Sequence, residues 1–154
     1  MRRRDWLTAA ASGALMAVVG CGRPALPATA KVLGRVTLDG TPLAKGVVMF
    51  YPDRAKGTVG RMAVAPIGSD GRFELSSFKP GDGAIIGHHL VAVVCETDPP
   101  TMEQTKMQPP PVVRSLIPEK YTRPESSGLK FEVKTGAANE FLLELRRHSA
   151  EKGG

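Results

Sequence analysis

Val32-Leu33-Gly34-Arg35-Val36-Thr37-Leu38-Asp39-Gly40-Thr41-Pro42-Leu43-Ala44-Lys45-Gly46-Val47-Val48-Met49-Phe50-Tyr51 is the stretch that decides the fold. Val32, Val36 and Leu38 fall on one side of an extended chain, with Arg35 and Thr37 on the other. That period of two is the pattern of a half-buried strand. Asp39-Gly40 supplies a turn, because both residue types tolerate the positive φ angles of short hairpins. Thr41 to Gly46 reads as a connector, and Val47 to Tyr51 as a second strand stopped by Pro52-Asp53.

The same alternation continues outward from this stretch. Arg61 to Ala65 is a weaker strand, and Ser69-Asp70-Gly71-Arg72 a tight turn that returns the chain into Phe73-Glu74-Leu75. Lys79 to Gly83 is a loop. His88 to Glu96 is apolar, rich in β-branched residues and about nine residues long, which favours a central strand over a helix. Residues 97–113 carry Pro99, Pro100, Pro109, Pro110 and Pro111 with few apolar residues, the mark of a long exposed loop. Ser115 to Pro118 fits a short edge strand, since Pro118 cannot donate to a central ladder. Leu129 to Val133 and Glu140 to Leu145 alternate apolar and charged residues, and Thr135 to Asn139 joins them as an expected hairpin. No segment carries a helical period. About seven short strands between turn signals indicate an all-β chain with a single β-sandwich.

The first 20 residues read differently. Arg2-Arg3-Arg4 precede an apolar run from Trp6 to Gly20, about 15 residues and so shorter than the roughly 20 that cross a bilayer. Basic start, apolar middle and a small residue before the cut form an export signal. Val18-Val19-Gly20-Cys21 resembles a bacterial lipobox. The resemblance implies cleavage after Gly20 and fatty acylation of Cys21, which becomes the first mature residue and the membrane partner. Arg3-Arg4-Asp5-Trp6-Leu7 resembles a twin-arginine motif, with Trp6 where phenylalanine is usual; Arg3, Arg4 and Gly20 are thus the signal-recognition residues. Twin-arginine and general secretory export both fit. Gly22 in place of aspartate implies, by the same resemblance, outer rather than inner membrane. The expected division is signal peptide 1–20, lipidated tether 21–30, sandwich 31–146 and flexible tail 147–154.

Composition narrows the function. The chain has 154 residues, with 21 basic and 15 acidic, for a net charge of +6. Removal of residues 1–20 takes Arg2, Arg3, Arg4 and Asp5 away and leaves about +4 by the same count. The remaining cations are scattered among acids, whereas nucleic-acid binders cluster theirs; no nucleic-acid partner is expected. With Cys21 assigned to lipid, Cys95 has no disulfide partner and reads as a small buried hydrophobe. About 130 mature residues make one domain that can bury a core without staples.

Gly34 to Phe50 resembles the opening of carboxypeptidase regulatory-like domains, which have a transthyretin-like (prealbumin-like) sandwich fold. Asp70-Gly71-Arg72-Phe73 is similar to that family's next landmark, and Gly87-His88-His89-Leu90-Val91-Ala92-Val93 to its glycine-led strand, with His89 at the usual tyrosine position. Leu116 to Tyr121, then Ser126-Ser127-Gly128-Leu129, resemble small exported lipoproteins abundant in planctomycete bacteria. The resemblance implies a lipid-anchored envelope protein with a non-catalytic binding or structural module, contacting an envelope protein or polysaccharide. It also implies that Val36, Val48, Phe50, Phe73, Val91 and Val93 line the inside; the alternation of Leu129, Phe131 and Val133 with charges places Phe131 inward as well. Tyr121 is expected to pack its ring while its hydroxyl finds a backbone partner.

Candidates for chemistry are few. Neighbours on a strand point to opposite faces, so His88 and His89 cannot chelate one metal; His89 should face inward and His88 outward. Asp70-Gly71 and Asp82-Gly83 offer too few oxygens for calcium, which takes six to eight, and read as turns. Tyr51 and Phe78 read as boundary packing rather than ligand contacts. There is no glycine-x-serine-x-glycine elbow. Hydroxyisourate hydrolases share the transthyretin-like fold, yet their Tyr-Arg-Gly-Ser motif is missing and the last residues are Ala150 to Gly154. No catalytic residue, metal or cofactor is therefore expected, and His88, His89 and Cys95 should be dispensable for activity. The alternative is an envelope hydrolase or metal-dependent enzyme on the same scaffold.

Overall fold

A computed structural model describes residues 25–106 and 112–147. Cys21, Arg3, Arg4, Gly20 and the tail from residue 148 lie outside the described residues. The described chain is mostly strand. In order these are β1 (Thr29–Ala30), β2 (Val32–Leu38), β3 (Thr41–Pro42), β4 (Val47–Pro52), β5 (Ala63–Pro66), β6 (Arg72–Glu74), β7 (Ala84–Ile85), β8 (Gly87–Val94), β9 (Lys130–Val133) and β10 (Asn139–Leu145). Seven of these have three or more residues, which is the strand count the alternation predicts.

One four-stranded sheet runs β10-β2-β3, with β6 on the same edge of β2 as β3; the other runs β5-β4-β8-β9. β1 and β7 form a separate pair. The two larger sheets share one core. Val32, Val36, Phe73, Leu143 and Leu145 come from the first; Val48, Phe50, Val91, Val93 and Val133 come from the second. The result is an all-β, sandwich-like body.

Phe50 stands where the sheets meet. Its ring centroid lies 5.8 Å from His89 and 6.0 Å from Phe131 in its own sheet, and 6.1 Å from Phe141 and 6.4 Å from Phe73 in the other. Phe131 and Phe141 touch at 4.7 Å. Both are half-buried and pack on the core from its margin, so Phe131 is a boundary residue rather than a fully inward one. The ring of Phe73 explains Gly34: a Cβ there would stand 2.4 Å from Phe73 Cζ and 2.5 Å from the Phe141 carbonyl oxygen.

Asp39-Gly40 behaves as its composition predicts. Both residues have positive φ, 51° and 82°, and Leu38 pairs with Thr41 across them. Thr41–Pro42 therefore extends a hairpin, where the sequence reads only a connector. Tyr121 is buried and its hydroxyl accepts from the Arg146 N–H at 3.1 Å, as the sequence leads one to expect.

Three connections differ from expectation. The turn at 69–72 brings the chain back beside β5, where Val64 and Ser76 exchange backbone hydrogen bonds at 2.9 and 3.0 Å, but β6 itself does not pair with β5. The Gly68 N–H donates to the Arg72 carbonyl at 2.8 Å, and β6 then pairs with β2 in the opposite sheet. Thr135 to Asn139 is likewise not a hairpin. β9 pairs with β8, while β10 lies parallel to β2 along its whole length. Asn139 holds this crossover: its Oδ1 accepts from the Lys134 N–H, and its Nδ2 donates to the carbonyls of Lys134 and Lys31. Finally, the proline-rich loop contains a helical turn, α1 (Met102–Thr105). It is closed by a capping box in which Thr101 Oγ1 accepts from Gln104 N–H and Gln104 Oε1 accepts from Thr101 N–H. Ser115 forms an isolated bridge to Glu96 rather than a strand.

Candidate functional site

β8 carries the histidines. His89 is buried, and its Nε2 lies 2.7 Å from the Ile85 carbonyl. That carbonyl is an acceptor, so Nε2 carries the proton and Nδ1 is left without a hydrogen-bond partner. Burial holds the His89 pKa below the usual histidine value, against the opposing pull of the Ile85 and Phe50 carbonyls. A ring that is neutral, enclosed and packed on Phe50 serves the core. His88 is half-buried, points to the other face as the strand requires, and sits opposite Glu132. Its backbone N–H, not its ring, donates to Thr58 Oγ1 at 2.8 Å. The two rings do not converge.

Cys95 is buried and unpaired, and burial pushes its thiol pKa up despite nearby Lys45; both features oppose thiolate chemistry. Tyr51 is half-buried and its hydroxyl contacts Met49 Sδ at 3.4 Å. Asp82 accepts backbone N–H groups from Ser77, Phe78 and Lys79. Against a desolvation cost, those bonds hold its carboxyl below its usual pKa. Asp70 accepts from Arg72 N–H in the same manner. The two Asp-Gly pairs thus order turns. Ser127 is also structural: buried, it donates to the Val91 carbonyl and accepts from the Leu129 N–H, tying the approach to β9 onto β8. Among the described residues no group of three or more His, Cys, Asp or Glu is placed to hold a metal ion.

A groove of about 850 Å³ lies elsewhere, on the sheet formed by β10, β2 and β6. Strand register sets out its floor. Glu140, Leu33 and Glu74 form one cross-strand row; Leu142, Arg35 and Arg72 form the next. Pro66 to Gly68 make a wall. Leu33 and Leu142 are 40% and 55% exposed, so the groove mixes two apolar side chains with both signs of charge. Lys31 pairs with Glu74 at 3.1 Å and Asp70 with Arg72 at 3.5 Å. The chemistry available is shallow contact with an amphipathic partner, with no nucleophile beside a base.

Sequence reasoning missed this groove, although a signal was present. Leu33 and Leu142 are apolar at positions where the alternation of β2 and β10 calls for polar residues. Such breaks mark an apolar patch on an outer face. No family model, curated protein or solved structure matches the chain.

Proposed function

We propose that this chain is a lipid-anchored protein of the bacterial cell envelope, carrying one transthyretin-like β domain that works as a non-catalytic binding or structural module. The observation that carries the address is Val18-Val19-Gly20-Cys21 behind Arg2-Arg3-Arg4. The reading of the domain is supported by where its polar groups go. Asn139, Ser127, Tyr121 and Asp82 all bond backbone, and His89 bonds a carbonyl inside the core. An acid, base or nucleophile set converging on a cleft is what an enzyme would need, and those side chains are committed to holding the fold.

The test is affinity capture from native envelope with the acylated protein, run beside a hydrolase screen and metal analysis of the same sample. Capture of a defined envelope protein or glycan, lost on Leu33→Glu or Leu142→Glu, supports the module. Turnover of an ester, amide or glycoside, abolished by substitution of His88 or His89 without loss of folding, contradicts it.

A further inference from the structure

The end of the domain from which the N-terminal segment departs carries a cationic and apolar surface. Residues 53–62 form a loop that opens with one 3-10 turn, Arg54–Lys56. The loop is pinned rather than loose. Asp53 N–H donates to the His88 carbonyl, Asp53 Oδ1 accepts from Ala55 N–H, and buried Thr58 takes the His88 N–H. Gly87 leaves room for that contact, since a Cβ there would stand 2.3 Å from Thr58 Oγ1. What remains outside is Arg54, Lys56, Val59, Arg61 and Met62, all exposed, with Val59 at 62% and Met62 at 39%.

The N-terminal segment runs along the same end. Ala28 accepts from the Ile86 N–H, and β1 pairs with β7. A Cβ built on Gly60 would stand 3.5 Å from Pro27 Cγ. Leu26, 64% exposed, therefore belongs to this end. On the other side, Arg61 and Met62 share a recess of about 370 Å³ with Phe78 and Lys79. Four cations thus stand against two carboxylates, and both carboxylates are engaged: Asp53 by Ala55 N–H, and Asp82 by three backbone N–H groups. A third carboxylate, Glu74, has its Oε1 3.2 Å from where a Cβ on Gly81 would stand, and it is paired with Lys31. His88 is the titratable neighbour on β8.

We propose that this surface, Arg54, Lys56, Arg61 and Lys79 with Leu26, Val59 and Met62, rests on anionic lipid headgroups, so that the domain lies against the membrane instead of projecting from it. The inference builds on the lipid anchor at Cys21. The four peptide steps from Cys21 to Ala25 span at most about 14 Å when fully extended. That is under two Debye lengths at physiological salt, each about 8 Å. The anchor therefore delivers this end, where residues 25–30 run, into the field of the headgroups. Each basic residue near an anionic surface strengthens attraction about five-fold, and exposed Leu, Val and Met add apolar insertion at the acyl boundary.

The test uses the full chain recovered from the envelope, with Met62→Trp in a Trp6→Phe background so that position 62 holds the single indole. The mass of the N-terminal peptide reads the anchor separately. If Cys21 carries no lipid, its thiol is coupled to a maleimide-bearing lipid, Cys95 being buried, so the surface is read in either case. The protein is held on vesicles of brominated phosphatidylcholine with or without phosphatidylglycerol. The indole should be quenched and blue-shifted on the anionic vesicles. The quenching should be lost in about 1 M salt, where the Debye length is about 3 Å, and in Arg54→Glu/Lys56→Glu/Arg61→Glu. In the unsubstituted chain, amide exchange over residues 54–62 should slow on anionic vesicles only. Equal quenching on both vesicles, or none on either with exchange unchanged, overturns the inference while leaving the anchor standing.

Discussion

Phe50→Ala should remove the contact that joins the two sheets. Phe50 has no exposed surface, and its ring touches His89 and Phe131 on one side and Phe73 and Phe141 on the other. Phe-to-Ala changes at such sites cost about 3–5 kcal/mol, the lost transfer energy plus the cavity left behind. The upper half of that range is expected, because Phe73 and Phe131 come from different sheets and cannot collapse together without sheet movement. A domain of this kind has about 5–15 kcal/mol in total. With a urea slope of about 2 kcal/mol per molar, the midpoint should fall by about 2 M, read by circular dichroism of the β signal. Leu142→Ala is the control. Its side chain is largely outside, and the change should stay within about 0.5 kcal/mol. If Phe50→Ala moved the midpoint no more than Leu142→Ala, the shared core would not be what joins the sheets.

Three further outcomes follow from the same contacts. Gly34→Ala should destabilise the domain by at least about 2 kcal/mol, since the new Cβ meets the Phe73 ring and the Phe141 carbonyl together; a neutral result in urea would show that the ring can move aside. Asn139→Ala leaves the Lys134 N–H and three carbonyls without this partner and should cost about 1–3 kcal/mol. Asn139→Asp should be no better, because it replaces the donor with a second acceptor, and a rescue by aspartate would refute the assigned bonds. For His89, the folded pKa is depressed by burial. Protonation therefore favours the unfolded chain: the contribution is full above the unfolded pKa, about 6.5, and falls as pH drops toward the folded value. The slope is at most about 1.4 kcal/mol per pH unit. Relative to His89→Phe, the wild-type chain should lose stability between pH 7 and pH 5; a flat difference would mean that His89 is not buried neutral.

The strands themselves were legible, and their partners were not. Val32-Leu38 and Gly87-Val94 show their buried sides directly, because a period of two has one structural meaning when turns flank it. Alternation reports a face and says nothing of the neighbour. Phe131 and Val133 face inward, as do Phe141, Leu143 and Leu145. A hairpin in one sheet and two strands facing each other across a core satisfy that pattern equally. What decides between them is Asn139, whose four backbone bonds hold the crossover and leave β10 free to pair with β2. The same ambiguity hides the pairing of β6 with β2. The capping box Thr101-Met102-Glu103-Gln104 was readable and was overshadowed by the prolines around it. The groove is assembled from β2, β6 and β10, which meet only through long-range pairing, so no single segment announces it beyond the misplaced Leu33 and Leu142.

The envelope address rests on Cys21. The measurement that bears on it most directly is the mass of the N-terminal peptide from protein extracted from the envelope of the producing cell. The account predicts a peptide beginning at Cys21, carrying a diacylglyceryl thioether or further acylation, and its loss in Cys21→Ala, which should leave an uncut precursor. Multiple acyl chains are expected, since a single chain binds membranes only marginally. A mature chain that begins elsewhere, or begins at Cys21 with an unmodified thiol, would contradict the anchored reading.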